Sequence, residues 1–259
     1  GPDERIGTAD FPAIFDQRPR EGMQLHWDGN NSSLAERNLS AAVGAGLVLS
    51  TATAADHAAI RRVARWLLDL RPPPSPLAPG DAAAVARGRG IYLRDCAACH
   101  GYQDGARYVF TGDRLGQVEP IERIGTDRAR LDSYTPGFLR QQREHLGFTR
   151  FVKTDGYANQ PLDGLWLRGP YLHNGAVPTL ADLLAPPASR PRVFLRGDDT
   201  LDEERGGFRS PPCTPGEAAP PGRFCFDTTR PGNGNAGHGY GTGLSRAEKD
   251  DLLAYLRTF

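Results

Sequence analysis

The sequence predicts a mainly α-helical protein, built of short helices joined by long ordered loops. Three observations carry that expectation. Stretches with apolar residues at helical spacing recur from Asn31–Gly46 to Ser245–Phe259. No stretch alternates strongly between apolar and polar residues, as a half-buried strand would, and no internal repeat stands out. Glycine (31) and proline (22) make up about a fifth of the 259 residues, which favours turns and ordered connectors over dense regular structure.

The elements follow in chain order. NSSLAERNLSAAVGAG (31–46) and ADHAAIRRVARWLLDL (55–70) are both helical in pattern, with Ile60, Val63, Ala64, Leu67 and Leu68 on one stripe of the second. RPPPSPLAPG (71–80) then sets four prolines between Arg71 and Leu77. That stretch cannot stay helical and is a stiff connector, dividing a helical segment, 1–75, from a larger unit, 76–259. Asp81 is placed to N-cap a helix through DAAAVARGRGIYLRD, with Val85, Ile91 and Leu93 among its apolar positions. A further helix is expected over PGFLRQQREHL (136–146), followed by an irregular stretch from about 150 to 244. Ser245 and Glu248 form a capping box that opens the closing helix, whose stripe is Leu252, Leu253, Leu256 and Phe259. Trp66 and Trp166 are expected in the core.

Composition excludes several functions. Basic and acidic residues both total 31, so no general attraction to nucleic acid or an anionic membrane is implied. No stretch approaches the roughly 20 apolar residues of a membrane span. The opening GPDERIGTAD lacks the basic and apolar regions of a secretory signal, so any export signal is expected to have been removed or never included.

The chemistry concentrates in LRDCAACHGY (93–102), where Cys96 and Cys99 form C-x-x-C and His100 follows directly. A thioredoxin-like motif opens a helix after a strand, whereas here a helix leads into the motif. A tetrahedral zinc site needs a second close ligand pair, which Cys213 and Cys225 do not provide. C-x-x-C-H is the spacing of a c-type haem site: two thioethers tether the group, and His100 swings under the iron as proximal ligand. One covalent haem c is therefore expected, and calcium is not indicated. Such attachment is completed outside the bacterial cytoplasm, where Cys213 and Cys225 are expected to form a disulfide clamping a Pro/Gly-rich loop. The expected location is periplasmic or secreted.

A helix entering C-x-x-C-H and an amphipathic helix closing the chain together resemble the class I cytochrome c fold, in which the terminal helices cross beside the haem. GLWLRGPYLHNGAVPTLADLL (164–184) looks like the Tyr-x-x-His-x-Gly segment of the bacterial di-haem peroxidase superfamily, with Tyr171, His173 and Gly175 as counterparts and only Leu172 between the first two. LHWDGNNSSLAERNLSAAVGAG, from Leu25, and FDTTRPGNGNAGHGYGTGLSRAEKDDLLAYL, from Phe226, are similar to stretches of the di-haem rubber oxygenases and their cytochrome relatives. Those proteins carry two C-x-x-C-H motifs and this sequence one. The resemblance thus implies the C-terminal part of such a protein, with the first haem domain absent or supplied by another chain.

For the sixth iron ligand, Met23 lies upstream of the haem motif and across the proline connector, so methionine is not expected. Of the other histidines, His26 and His57 belong to the N-terminal segment and His145 to a charged helix. His238 and His173 remain. His238 sits in PGNGNAGHGYGTG, where glycines let the backbone approach a flat macrocycle, and just before the closing helix, as the distal ligand does in the rubber oxygenases. It is the expected distal ligand, with His173 the alternative. The glycines of that stretch also match G-x-G-x-x-G, but no helix opens directly after them and no acidic residue follows at the required distance, so a dinucleotide site is rejected. Arg168 is a candidate partner for a haem propionate, and Tyr102 for packing at the haem edge. Trp27 falls in a stretch resembling the first haem pocket of the rubber oxygenases.

The function expected is electron transfer through a bis-histidine haem, serving a larger di-haem oxidoreductase by way of a redox partner or a second haem-bearing domain or chain. The alternatives are an oxygenase or peroxidase with an open or labile distal site, and a haem sensor or structural subunit.

Overall fold

The structure, a computed structural model, describes residues 6–259. Among them lie nine α-helices and three two-stranded antiparallel sheets, with 34% of residues helical and 11% in strands. The architecture is mixed α/β, which corrects the mainly α expectation. Each strand holds only three or four residues, too short for a two-residue alternation to stand out from the sequence. β1 (Tyr102–Asp104) and β2 (Arg107–Val109) form a hairpin through Gly105 at φ +57°. β3 (Val118–Pro120) pairs with β4 (Gly156–Ala158), and β5 (Val193–Arg196) with β6 (Phe224–Asp227). Three of these strands fall in the stretch expected to be irregular.

The helices are α1 (Leu34–Gly44), α2 (Ala54–Leu67), α3 (Ala82–Asp95), α4 (Ala97–His100), α5 (Ile121–Ile124), α6 (Ala129–Ser133), α7 (Pro136–Leu146), α8 (Leu180–Leu183) and α9 (Arg246–Leu256). Their starts follow the capping chemistry. Asp81 accepts from the Ala84 amide to open α3, while Thr53 with Asp56 and Ser245 with Glu248 form capping boxes on α2 and α9.

The main core forms where α3 meets α9. Leu252, Leu253, Tyr255, Leu256 and Phe259 are buried in one cluster with Ile91 and Tyr92, and each such side chain stabilises the fold by about 1.5–3 kcal/mol. Gly88 permits the close approach, since a Cβ there would lie 1.9 Å from the Asp251 carbonyl oxygen. Leu93, expected among the apolar positions of this helix, is 37% exposed, while Tyr92 is buried. Trp66 is 62% exposed and no core residue. Trp166 is half-buried, its indole donating to the Pro73 carbonyl at 3.0 Å. On the stripe expected on α2, Val63 is exposed and the other four residues are half-buried, and no residue of that helix is fully buried.

One loop geometry occurs twice. Leu25 bridges Asn31 and Tyr171 bridges Val177, each closing seven residues. The second residue has positive φ in both (His26 +63°, Leu172 +68°), and the fifth is a positive-φ glycine (Gly29 +62°, Gly175 +64°). Two residues further on, Ser33 N-caps α1 and Thr179 N-caps α8. The two loops share only that glycine, so the repeat, which the sequence does not display, lies in backbone conformation.

Candidate cofactor site

The Cys-x-x-Cys-His motif sits at the C-terminal end of α3. Cys96 ends α3 and begins the single turn of α4, and Gly101 at φ +73° terminates that turn against β2, where a Cβ would lie 2.5 Å from the Val109 carbonyl oxygen. Cys96, Cys99 and His100 thereby face a largely apolar cavity of about 1340 Å³, open solvent at its mouth included, walled by Leu165, Leu180, Leu184, Leu252 and Leu256. Burial and the neighbouring Asp95 push the Cys96 thiol up to about 12, and burial also raises Cys99. A thiol–disulfide pair lowers its thiol pKa at a helix N-terminus; this pair does the opposite.

His100 points its Nδ1 at the Gln160 carbonyl oxygen, 2.7 Å away. A carbonyl only accepts, so Nδ1 carries the proton and Nε2 is free to ligate. His238 enters from another direction. Its backbone N–H donates to the Ile124 carbonyl at 2.8 Å, and it holds φ +46°. Gly237 lies directly on the Gly125–Thr126 backbone, where a Cβ would come within 2.3 Å. The buried Arg190 guanidinium donates to the carbonyls of Asn235 at 2.7 Å, Gly237 at 2.9 Å and His238 at 3.3 Å. Burial, then the proximity of His100, pushes the His238 imidazole down to about 4, and burial lowers His100. Both rings are therefore neutral at pH 7, the form that binds a metal.

The ring centroids of His100 and His238 are 6.3 Å apart. Two metal–imidazole bonds of about 2 Å, plus about 1.1 Å from each nitrogen to its ring centroid, sum to roughly 6 Å. Among the described residues no group of three or more His, Cys, Asp or Glu could hold a metal ion. A group that brings its own metal ligands, as a tetrapyrrole does, is compatible with that lining. The apolar walls, the two thiols and the two facing imidazoles fit that group.

The other expected residues are placed as follows. His173 also lines the cavity, 4% exposed, stacked on Tyr157 at 4.1 Å with its Nε2 3.0 Å from the Tyr157 hydroxyl. Burial pushes its imidazole down to about 3. Arg168 is on the wall, and its guanidinium donates to the Pro161 carbonyl at 2.6 Å and to the Asp163 carboxylate at 3.0 Å. Trp27 reaches the cavity from the N-terminal segment. Tyr102 is not among the lining residues; it pairs with Val109 in the β1–β2 hairpin, with the Arg89 guanidinium 5.7 Å from its ring centroid. Cys213 and Cys225 form a disulfide. Sequence reasoning missed Gln160, Tyr157 and Arg190; an arginine among prolines or a glutamine in a loop carries no local signal of what it holds.

Residues 156–195 match the family model described as RoxA-like, cytochrome c-like. Over those residues the chain is similar to a cytochrome c-like domain. The match contains Tyr157, Gln160, Arg168, His173 and Arg190 but neither the Cys96–His100 motif nor His238, so it stands apart from the motif argument. A cytochrome c-like domain implies haem c. Two proteins of Sinorhizobium fredii are similar: uncharacterized protein y4iJ, 37% identical over 139 residues, covering 49% of this chain and 22% of that protein, and uncharacterized protein y4iM, 29% identical over 261 residues, covering 88% and 56%. The chain thus spans about half the length of one relative and about a fifth of the other. Among the described residues no helix is long and apolar enough to cross a membrane.

Proposed function

We propose that this chain carries electrons through one covalently bound haem c, held by Cys96 and Cys99 and ligated by His100 and His238. The observation that carries this reading is the 6.3 Å separation of the two imidazoles across an apolar cavity beside both thiols. Bound there, the haem supplies a one-electron couple. The residues do the rest. His100 is held in one tautomer by the Gln160 carbonyl, His238 is pinned by Arg190 and the Ile124 carbonyl, and the leucine wall excludes water. Two imidazoles leave no open position for dioxygen or peroxide, and imidazole donates more strongly to ferric iron than a thioether does, which sets a low potential.

On this reading residues 76–259 form the haem domain and residues 1–75 a haem-free segment that serves a second haem-bearing domain or chain of a larger oxidoreductase. The twice-used loop supports this. After the first copy come α1 and then α2, capped as α9 is, yet no residue of α2 is fully buried, whereas the stripe of α9 is buried against α3. The Cys213–Cys225 disulfide and the covalent attachment support an extracytoplasmic location.

One observation favours a second reading, an oxygenase or peroxidase with a labile distal ligand. His238 Nδ1 is buried without a hydrogen-bond partner, and with Nε2 as the ligating atom the ring lacks the anchor that ligating histidines normally have on their other nitrogen. Visible spectra of the ferric holoprotein with and without cyanide test the two. Electron transfer requires a low-spin spectrum that cyanide leaves unchanged; rapid conversion to a cyanide complex overturns it in favour of the enzyme.

A further inference from the structure

We infer that Gln160 is a positioning residue through which the N-terminal loop at Gln24–Trp27 controls the donor strength of His100. The inference rests on the haem reading above. Gln160 makes two connections in opposite directions. Its backbone carbonyl accepts from His100 Nδ1 at 2.7 Å, and its side-chain amide donates to the carbonyls of Gln24 at 3.2 Å and His26 at 3.1 Å. An amide nitrogen has two hydrogens, and both are used. The neighbouring Ala158 N–H donates to the Trp27 carbonyl at 2.8 Å, and Gln24 is itself tied by its N–H to the Gly116 carbonyl at 2.8 Å. The strip 158–160 is thus stitched to the first copy of the repeated loop along one edge and to the proximal histidine at its end.

This arrangement has an electronic consequence. A carbonyl held firmly against Nδ1–H draws that proton and raises the basicity of Nε2, and outer-shell partners of this kind typically change metal affinity by 10–100-fold. A more basic Nε2 stabilises the ferric state. Removing the side-chain amide cuts the tie to the loop, lets the carbonyl move away from His100 and raises the potential.

The test uses the holoprotein and the variants Gln160→Leu and Gln160→Met, which remove the amide at similar length. Covalent haem content, ferric electron paramagnetic resonance and a spectroelectrochemical titration are measured on each. The expected result is intact low-spin haem with altered g-values and a potential raised by the equivalent of a tenfold change in the equilibrium constant, about 59 mV for one electron. Gln117→Leu, whose amide donates to the Asp113 carbonyl, is the control and leaves the potential in place. Low-spin Gln160 variants at the native potential overturn this inference alone; a native protein without low-spin haem overturns it together with the haem reading. Should neither variant fold, hydrogen exchange of the His100 Nδ1 proton in the native protein decides. Slow exchange is expected, and fast exchange overturns the inference.

Discussion

Two glycines on one helix make opposite predictions. Gly88 and Gly90 are both inside α3, and neither has positive φ. Replacing an interior helical glycine with alanine gains about 1 kcal/mol from helix propensity alone. At Gly90 a Cβ meets nothing within 4 Å, so that gain stands. At Gly88 the new Cβ would lie 1.9 Å from the Asp251 carbonyl oxygen, whereas ordinary contact needs about 3.4 Å, so α3 and α9 must part by about 1.5 Å. The obstacle is backbone, which no rotamer change relieves, and overpacking of this kind costs about 1–3 kcal/mol or more. Set against the propensity gain, Gly88→Ala is destabilising by up to about 2 kcal/mol, and it loosens the helix pair that presents Cys96 to the cavity. Thermal unfolding of both variants measures this: at about 2–4 °C per kcal/mol, Gly90→Ala rises by a few degrees and Gly88→Ala falls by a similar amount. Equal shifts for the two variants would refute the helix-crossing argument.

Three further predictions concern the covalent and polar ties. Acidified organic solvent should leave the colour on the polypeptide of the native protein, while in Cys96→Ala/Cys99→Ala it should extract; extraction from the native protein contradicts thioether attachment. Alkylation without reductant should label neither Cys213 nor Cys225, and opening that bridge, with its sequence separation of 12, should cost about 2–3 kcal/mol in chemical denaturation; two labelled cysteines would contradict it. Arg190→Leu strips the carbonyls of Asn235, Gly237 and His238 of their common donor, at about 1–3 kcal/mol for each buried group left unpaired. It should destabilise the protein and add a high-spin component to the ferric spectrum, and an unchanged spectrum would show that the loop holds His238 without it.

The legible parts of the fold were those whose cause is local. Asp81, Ser245 with Glu248 and the α9 stripe announce helices because capping and 3.6-residue spacing lie within a few residues of one another. The motif from Cys96 to His100 is likewise contiguous. The six strands of the described residues are three or four residues long, and four of them are made by partners far away in sequence; only the β1–β2 hairpin had a local signal, Gly105 at the first position of its two-residue loop. The exposure of Trp66 was hidden because a stripe on a helix shows that a face is apolar, not what covers it. Gln160 and Arg190 act through carbonyls contributed by other segments, and a carbonyl has no identity in a sequence. The repeated loop was invisible for a related reason: positive φ at His26 and at Leu172 is imposed by closure of the loop and leaves no residue type in common.

The ferric spectrum of His238→Ala decides whether His100 and His238 ligate one iron from opposite faces. The native protein should be low-spin and indifferent to cyanide, His238→Ala should be high-spin and bind cyanide readily, and His173→Ala should keep the native spectrum. A low-spin His238→Ala protein, or a change of spin state at His173→Ala instead, would contradict it.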